Sequence, residues 1–352
     1  MHTIDSGNIL RLHSMLSSAE RIVIVTHTRP DGDAMGSSIG MYHLIRNAYG
    51  KDARIAITDP APSNLDFITD SVGQKDILTH KYQSQETEDA IIQSDLIICL
   101  DFNAFHRTDS LEGALRQSDA TKILIDHHLA PDTESFSLIF SETEISSASE
   151  LLFHIMMRLP AVDGDACNLP SETATALMTG MTTDTNNFMN SVYPSTLQMA
   201  SALLGAGVDR DMIIQKIYNR FKESRIRLQG HVLKDLMKIT SDGVAYIVLT
   251  KEDIEKYDVQ EGDTEGFVNI PLSIDGVLMS IFLKEDEDRI RVSIRSKKGI
   301  SANRCARLHF NGGGHENAAG GRLYLPQDLA SIELAAEYIE RHTHIFMTEE
   351  NE

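Results

Sequence analysis

Cysteine is scarce in this sequence. The three that occur, Cys99, Cys167 and Cys305, share no spacing, which argues against a disulfide framework or a zinc finger and fits a reducing cytoplasm. Long apolar runs are also missing, since nothing approaches the ~20 residues that a membrane helix needs. The N-terminus shows neither the basic nor the apolar region of a secretory signal. The expectation is therefore a cytoplasmic protein with no membrane partner. Basic residues are outnumbered, 32 against 52 acidic, for a net charge of −20. That deficit argues against coating long nucleic acid, which depends on neutralising phosphates. A short anionic ligand remains open, because local charge decides that. There is no internal repeat and no low-complexity tract.

What is present is enough for two cores: 352 residues, of which 41% are apolar. The first half alternates strands and helices. Strands are expected at Arg21–Thr26, Ala53–Thr58, Asp95–Leu100 and Lys122–Ile125, and helices at Ala34–Ala48, Ser147–Leu159 and Ser171–Met181. Near-continuous apolar strands separated by helices indicate a parallel sheet covered on both faces. After Met181 comes a polar break, Thr182 to Phe188. Helical patterns follow over Thr196–Leu204, Asp209–Asn219 and Lys222–Ile239, then strands at Val244–Thr250, Gly276–Lys284 and Arg289–Ser296. Helices at Gly299–Phe310 and Leu329–Phe346 complete the pattern. The expected architecture is α/β: a doubly wound, mainly parallel sheet over 1–193, a helical connector over 194–240 and a smaller α/β domain over 241–346.

Three apolar strands end in groups that bind cations. Ile22–Val25 runs into Thr26-His27 and then Pro30-Asp31-Gly32-Asp33; Leu96–Leu100 ends in Asp101; Lys122–Ile125 ends in Asp126-His127-His128. Ligands of such sheets bind beyond the carboxyl ends of the strands. Two imidazoles beside a carboxylate are costly as core filler. Asp31 and Asp33 in close company repel unless cations neutralise them; the alternative is that they cap the helix starting near Ala34, worth about 1 kcal/mol. With Asp184 in the polar break, six candidate ligands emerge: His27, Asp31, Asp33, Asp101, His127 and Asp184. Mixed carboxylate and imidazole donors suit Mn2+, Mg2+ or Co2+. Six exceed what one ion takes, whereas two ions about 4 Å apart would use them, acidifying a bridging water and holding phosphoryl oxygens. The other histidines, among them His43, His80, His231 and His309, read as surface or packing residues.

The pattern His27-x-x-Pro30-Asp31-Gly32-Asp33-Ala34-x-Gly36-Ser37, then Asp101, then Asp126-His127-His128, then Thr183-Asp184-Thr185 resembles the DHH phosphoesterase family. That family includes RecJ-type exonucleases, family II pyrophosphatases and nanoRNase/pAp phosphatases. The resemblance implies one ion on His27, Asp31 and Asp101 and a second on Asp33, Asp101, His127 and Asp184, with Asp101 bridging. It assigns His128 to the scissile phosphate or the leaving group and Asp126 to orienting an imidazole. The run after Asp101 departs from the pattern at Asn103 and Ala104, and Arg107 stands where the family places an arginine for substrate. Downstream, Gly312-Gly313-Gly314-His315 with Ala318-Ala319-Gly320-Gly321 resembles the DHHA1 substrate-binding domain. Consecutive glycines can expose N–H groups as an anion nest. The segment from Arg289 to Arg307 is basic throughout, either as a solvated face or as a phosphate site. By resemblance, Arg295, Ser296, Asn303, Gly312, Gly313, Gly314 and His315 bind the terminal phosphate and ribose of a nucleotide, across a cleft from the metals.

The type implied is the nanoRNase/pAp phosphatase, a bifunctional oligoribonuclease and PAP phosphatase. It would act on dinucleotides such as pApA and pGpG and on 3′-phosphoadenosine-5′-phosphate. A polyphosphatase or pyrophosphatase on the same metals is the enzymatic alternative, and an inactive nucleotide-binding regulator the other. The oligomeric state stays open, with a homodimer through the first domain or the connector among the options.

Overall fold

The structure is a computed structural model that describes residues 4–219, 221–260, 262–287 and 289–350. The chain divides into two compact units, Met1–Arg220 and Phe221–Glu352.

In the first unit, α1 (Ser6–Ser18) precedes β1 (Ile22–Val25), α2 (Gly32–Ala48) and β2 (Ala53–Ile57). Next come α3 (Asp66–Thr69), β3 (Ile77–Thr79), α4 (Ser84–Ile92), β4 (Leu96–Leu100) and α5 (Glu112–Gln117). β5 (Thr121–Asp126), β6 (Leu138–Ser141), α6 (Ala148–Met156), α7 (Ser171–Asp184), α8 (Pro194–Gly205) and α9 (Arg210–Tyr218) complete it. The strands form one parallel sheet in the order β3-β2-β1-β4-β5-β6. Every residue of β1 and β4 is buried, as strands covered by helices on both faces require. The order reverses between β1 and β4, so the carboxyl ends of these two strands frame the crevice of a doubly wound fold.

The expected polar break at Thr182 is in fact the last turn of α7, which runs to Asp184. α8 and α9 belong to the first unit: Met199, Leu203, Ile213 and Ile217 join its core.

The second unit holds α10 (Glu223–His231), β7 (Lys238–Ile239), β8 (Val244–Leu249), α11 (Lys251–Lys256), β9 (Met279–Glu285) and β10 (Arg289–Ser296). It closes with α12 (Ala302–His309), β11 (Gly313–Gly314), β12 (Ala318–Tyr324) and α13 (Ala335–Glu350). Its sheet order is β11-β12-β10-β9-β8-β7, antiparallel except for β8 beside β9. The helix expected over Lys222–Ile239 ends early. α10 passes into one π turn, Val232–Leu236, and Lys238–Ile239 pairs with β8 as an edge strand. Leu228 and Val232 pack with Ile247 and Phe267, so α10 is part of this unit. β10 alternates between faces, with Ile290, Val292, Ile294 and Ser296 buried and Arg289, Arg291 and Arg295 on the more open side. Among the described residues, no helix is long and apolar enough to cross a membrane.

Candidate metal centre

β1 delivers His27 into the crevice. The His27 Nδ1–H donates to the Thr28 carbonyl at 2.9 Å, which turns Nε2 towards carboxylates: Asp101 Oδ2 at 3.4 Å and Asp31 Oδ1 at 3.9 Å. The loop behind it is tied down. Thr28 N–H donates to the Arg107 carbonyl at 2.9 Å, and Asp59 accepts from the Thr28 hydroxyl and the Arg29 N–H. Arg107 is thus placed beside the His27 loop through its backbone.

Asp31 and Asp33 divide the two readings between them. Asp31 does cap α2, accepting from the N–H of Asp33 and of Ala34 at 3.0 Å each. Asp33 lies one step inside the helix and is 2% exposed. It accepts from Ala148 N–H at 2.6 Å and Ser149 N–H at 2.9 Å, the first amides of α6, where the helix dipole favours negative charge. No local sequence signal announces this contact, because its partners lie more than a hundred residues away.

Asp101 is the hinge of the arrangement. It follows β4 in the left-handed region, at φ 64°, a conformation that costs on the order of 1 kcal/mol for a non-glycine residue. Its two oxygens face opposite imidazoles: Oδ2 faces His27 Nε2, and Oδ1 lies 3.4 Å from His127 Nε2. His127 Nε2 also lies 3.7 Å from Asp184 Oδ2 and 3.9 Å from Asp33 Oδ2. Donor atoms of His27, Asp31 and Asp101 therefore converge as one group, and those of Asp33, Asp101 and His127 as a second. His128 Nδ1–H donates to Asp126 Oδ1 at 2.7 Å; Asp126 is fully buried. Asp31 and Asp184 are the solvent side, with side chains 54% and 32% exposed.

Asp33 and Asp184 meet because α2 and α7 pack with almost no space between their backbones. A Cβ at Gly36 would lie 2.6 Å from the Ala176 carbonyl, and one at Gly180 would lie 2.0 Å from Ser149 Oγ and 2.9 Å from Asp33 Oδ1. Glycine is required at both positions by close approach.

The electrostatics ask for cations. Burial opposes charge on His27, but Asp101 and Asp31 overcome it and lift the imidazole to about 9. His127 is raised too, its burial offset by Asp101, Asp184 and Asp33. Burial drives Asp33 above its usual range, and the charges of Asp101 and Asp184 add to it. Asp184 is pushed up, first by burial and then by Asp101 and Asp31, with His127 opposing. Asp101 stays low despite burial because His127 and His27 both donate to it. Without metal the cluster favours the protonated imidazoles of His27 and His127 and works against charge on Asp33. Divalent cations would take the place of those protons, so the donor set fits two ions of the oxygen- and imidazole-preferring kind.

In the second unit, Arg295 and Ser296 are adjacent on β10 and so point to opposite faces. Ser296 is held locally: its hydroxyl donates to the Ile300 carbonyl at 2.6 Å and accepts from Asn317 Nδ2. The glycine run also differs from a nest of outward amides. Gly312 N–H donates to the Ala306 carbonyl and His315 N–H to the Ala318 carbonyl, while Gly313 and Gly314 pair with β12. Gly312 and Gly314 allow close packing, since a Cβ at either would collide with the Gly320 or the Ala318 carbonyl. Asn303 lies beside Gly313, and Ser301, Asn303, Arg304, Arg307 and Leu308 line a surface hollow of about 260 Å³ along α12.

The profile of the DHH family, N-terminal domain, matches residues 21–181, and that of the DHHA1 domain matches residues 241–341. A relative from Thermus thermophilus, named bifunctional oligoribonuclease and PAP phosphatase NrnA, is 31% identical over 86% of this chain and 84% of its own. The chain belongs to the DHH family. The Bacillus subtilis protein of the same name is 26% identical over 88% of this chain and 91% of its own. A crystal structure from Bacteroides fragilis, described as an exopolyphosphatase-related protein, is 38% identical. It superposes with a TM-score of 0.90 over 99% of this chain and 98% of its own. This DHH-family chain is accordingly an α/β phosphoesterase with a DHHA1 domain.

Proposed function

We propose that this DHH-family chain hydrolyses phosphoester bonds in short RNAs, including pApA and pGpG, and in 3′-phosphoadenosine-5′-phosphate, using two divalent cations. Mn2+ is the first choice, with Mg2+ and Co2+ as alternatives. The observation that carries this reading is the split of Asp101 between His27 and His127 at 3.4 Å each. It supports one ion on His27, Asp31 and Asp101 and another on Asp33, Asp101, His127 and Asp184. The names of the two relatives above, oligoribonuclease and PAP phosphatase, support the substrate class.

When bound, the two cations would supply Lewis acidity towards phosphoryl oxygens and an acidified water. The remaining work belongs to the side chains. Asp126 fixes the tautomer of His128 through Nδ1, so His128 exchanges protons at Nε2, facing the scissile phosphate or the leaving oxygen. Asp101, placed after β4 by a left-handed backbone, would contribute to holding both ions. Arg107, on the loop that braces His27, contacts the substrate phosphate. In the second unit Arg295, Asn303, His315 and the Gly312–Gly314 segment bind the nucleotide, and the arginines of α12 add local positive charge to a chain that is acidic overall. This arrangement suits short anionic substrates over long nucleic acid.

A second reading draws on the description of the Bacteroides fragilis structure: release of phosphate from polyphosphate. A panel of pApA, pGpG, pAp, pyrophosphate and polyphosphate, each with Mn2+, separates the two. Turnover concentrated on the dinucleotides and pAp is expected. Faster turnover of polyphosphate would replace the substrate assignment, and nucleotide binding with no product would remove the enzyme.

A further inference from the structure

α6 carries a glutamate that the chemistry above does not use. Glu150 is 0% exposed, and a carboxylate taken out of water needs partners to stay charged. Its Oε2 accepts from the Ser146 N–H at 3.1 Å, from the Ser146 hydroxyl, and from the Thr196 hydroxyl of α8 at 2.6 Å. Its Oε1 faces His154 Nε2 at 3.6 Å. Burial pushes this carboxyl up, but His154 and the surrounding hydroxyls more than offset it and hold it below its ordinary range.

These contacts converge on one turn. Ser146 immediately precedes Ser147, the N-cap of α6, whose hydroxyl accepts from the Glu150 N–H at 3.0 Å. The next two amides, Ala148 and Ser149, are the pair that hold Asp33. Glu150 thus fixes the entry to the helix whose first amides grip a ligand of the metal centre, and Thr196 anchors that entry to α8. An apolar residue would fill the same space without desolvating a charge, and such swaps are often neutral or stabilising. It would leave the Ser146 amide without this acceptor and the turn undefined.

We propose that Glu150 is a positioning residue for one of the two ions. By clamping the Ser146–Ser147 turn it aims the Ala148 and Ser149 amides at Asp33, and so sets the affinity of the ion held by Asp33, Asp101, His127 and Asp184. The ion held by His27, Asp31 and Asp101 does not depend on it. The inference rests on the metal-centre reading.

The test is a Mn2+ titration followed by electron paramagnetic resonance of free Mn2+ and by calorimetry, with circular dichroism as the check of folding. The proteins are the full-length wild type, Glu150→Ala, Glu150→Gln and the double variant Ser146→Ala/Thr196→Val. The double variant removes two donors and leaves the carboxylate, in case Glu150→Ala does not fold. The wild type is expected to bind two ions. In Glu150→Ala and the double variant, one should weaken by about 10–100-fold, the range for lost support of a metal ligand, while the other keeps its affinity. Glu150→Gln retains an acceptor for the same donors and should restore binding to near wild type. Two ions bound as in wild type by folded Glu150→Ala or the folded double variant would overturn the proposal, as would equal weakening of both ions. So would failure of Glu150→Gln to rescue, since charge and not the clamp would then be at work. A wild type that binds no Mn2+ overturns the metal-centre reading itself, an outcome distinct from the others.

Discussion

The two units handle anions and cations in opposite ways. In the first, charged groups are buried, converge on the ends of β1, β4 and β5, and perturb one another strongly: His27 is lifted to about 9 and Asp33 is driven upward by burial. In the second, the arginines of β10 lie on the more open side of their strand, and Arg304 and Arg307 of α12 line a surface hollow. Position in the sheet and depth of burial, more than net charge, set how much each group contributes. A chain of net charge −20 can still offer a phosphate partner, provided its basic residues gather on one surface. Substitutions in the first unit should therefore abolish chemistry, whereas those in the second should tune binding.

The largest effect is expected for Asp101→Ala, which removes a group facing both imidazoles. Hydrolysis of pApA should fall by on the order of 10³-fold or more, equivalent to about 4 kcal/mol of transition-state stabilisation. Steady-state rates measured on folded protein check this, and a loss under tenfold would place the chemistry elsewhere. His128→Ala should lower kcat by about 10²–10⁴-fold, the usual range for a general acid or base, while leaving metal binding intact. Equal loss of metal in that variant would make His128 a ligand instead.

Gly180→Ala tests the packing that brings Asp33 to Asp184. The added methyl meets Ser149 and Asp33, and overpacking of this kind costs about 1–3 kcal/mol. Thermal melts should show that loss, with activity reduced beyond what the fraction unfolded explains. Unchanged activity would mean that the two helices can part without moving the ligands.

In the second unit, Arg295→Ala should raise KM by roughly 10-fold, the worth of one charge-assisted hydrogen bond, with kcat little changed. A fall in kcat at constant KM would break the contrast between the units. The smallest effect concerns pH. His27 keeps its proton up to about 9 when no metal is bound, and a ligand must lose its proton before it binds. Mn2+ affinity should therefore rise between pH 7 and pH 9, as calorimetry can follow; affinity that falls over that interval would contradict the protonation assigned to His27.

Much of the first unit was legible in the sequence. The apolar runs ending in His27, Asp101 and Asp126-His127-His128 announced the parallel strands and the end of the sheet where these side chains gather. What was not legible was non-local. The hold of Ala148 and Ser149 on Asp33 crosses 115 and 116 residues, and the edge strands β3 and β6 are too short to show a period. Asp184 appeared to sit in a polar break, yet it ends α7, where Thr183 and Thr185 on either side of it return their hydroxyls to carbonyls of the preceding turn. In the second unit, Gly312 and its neighbours suggested an anion nest. The structure uses them to bring β11 against β12, and glycine's two roles, exposed amide and close approach, look identical in sequence.

The proposed centre depends on Asp101 serving two ions at once. The most direct measurement is the stoichiometry and affinity of Mn2+ for wild type and for Asp101→Asn, which keeps the shape and removes the charge. The wild type should bind two ions per chain, and both should weaken together in the variant. A single ion in the wild type, or loss of one ion with the other unaffected in Asp101→Asn, would contradict a centre shared through Asp101.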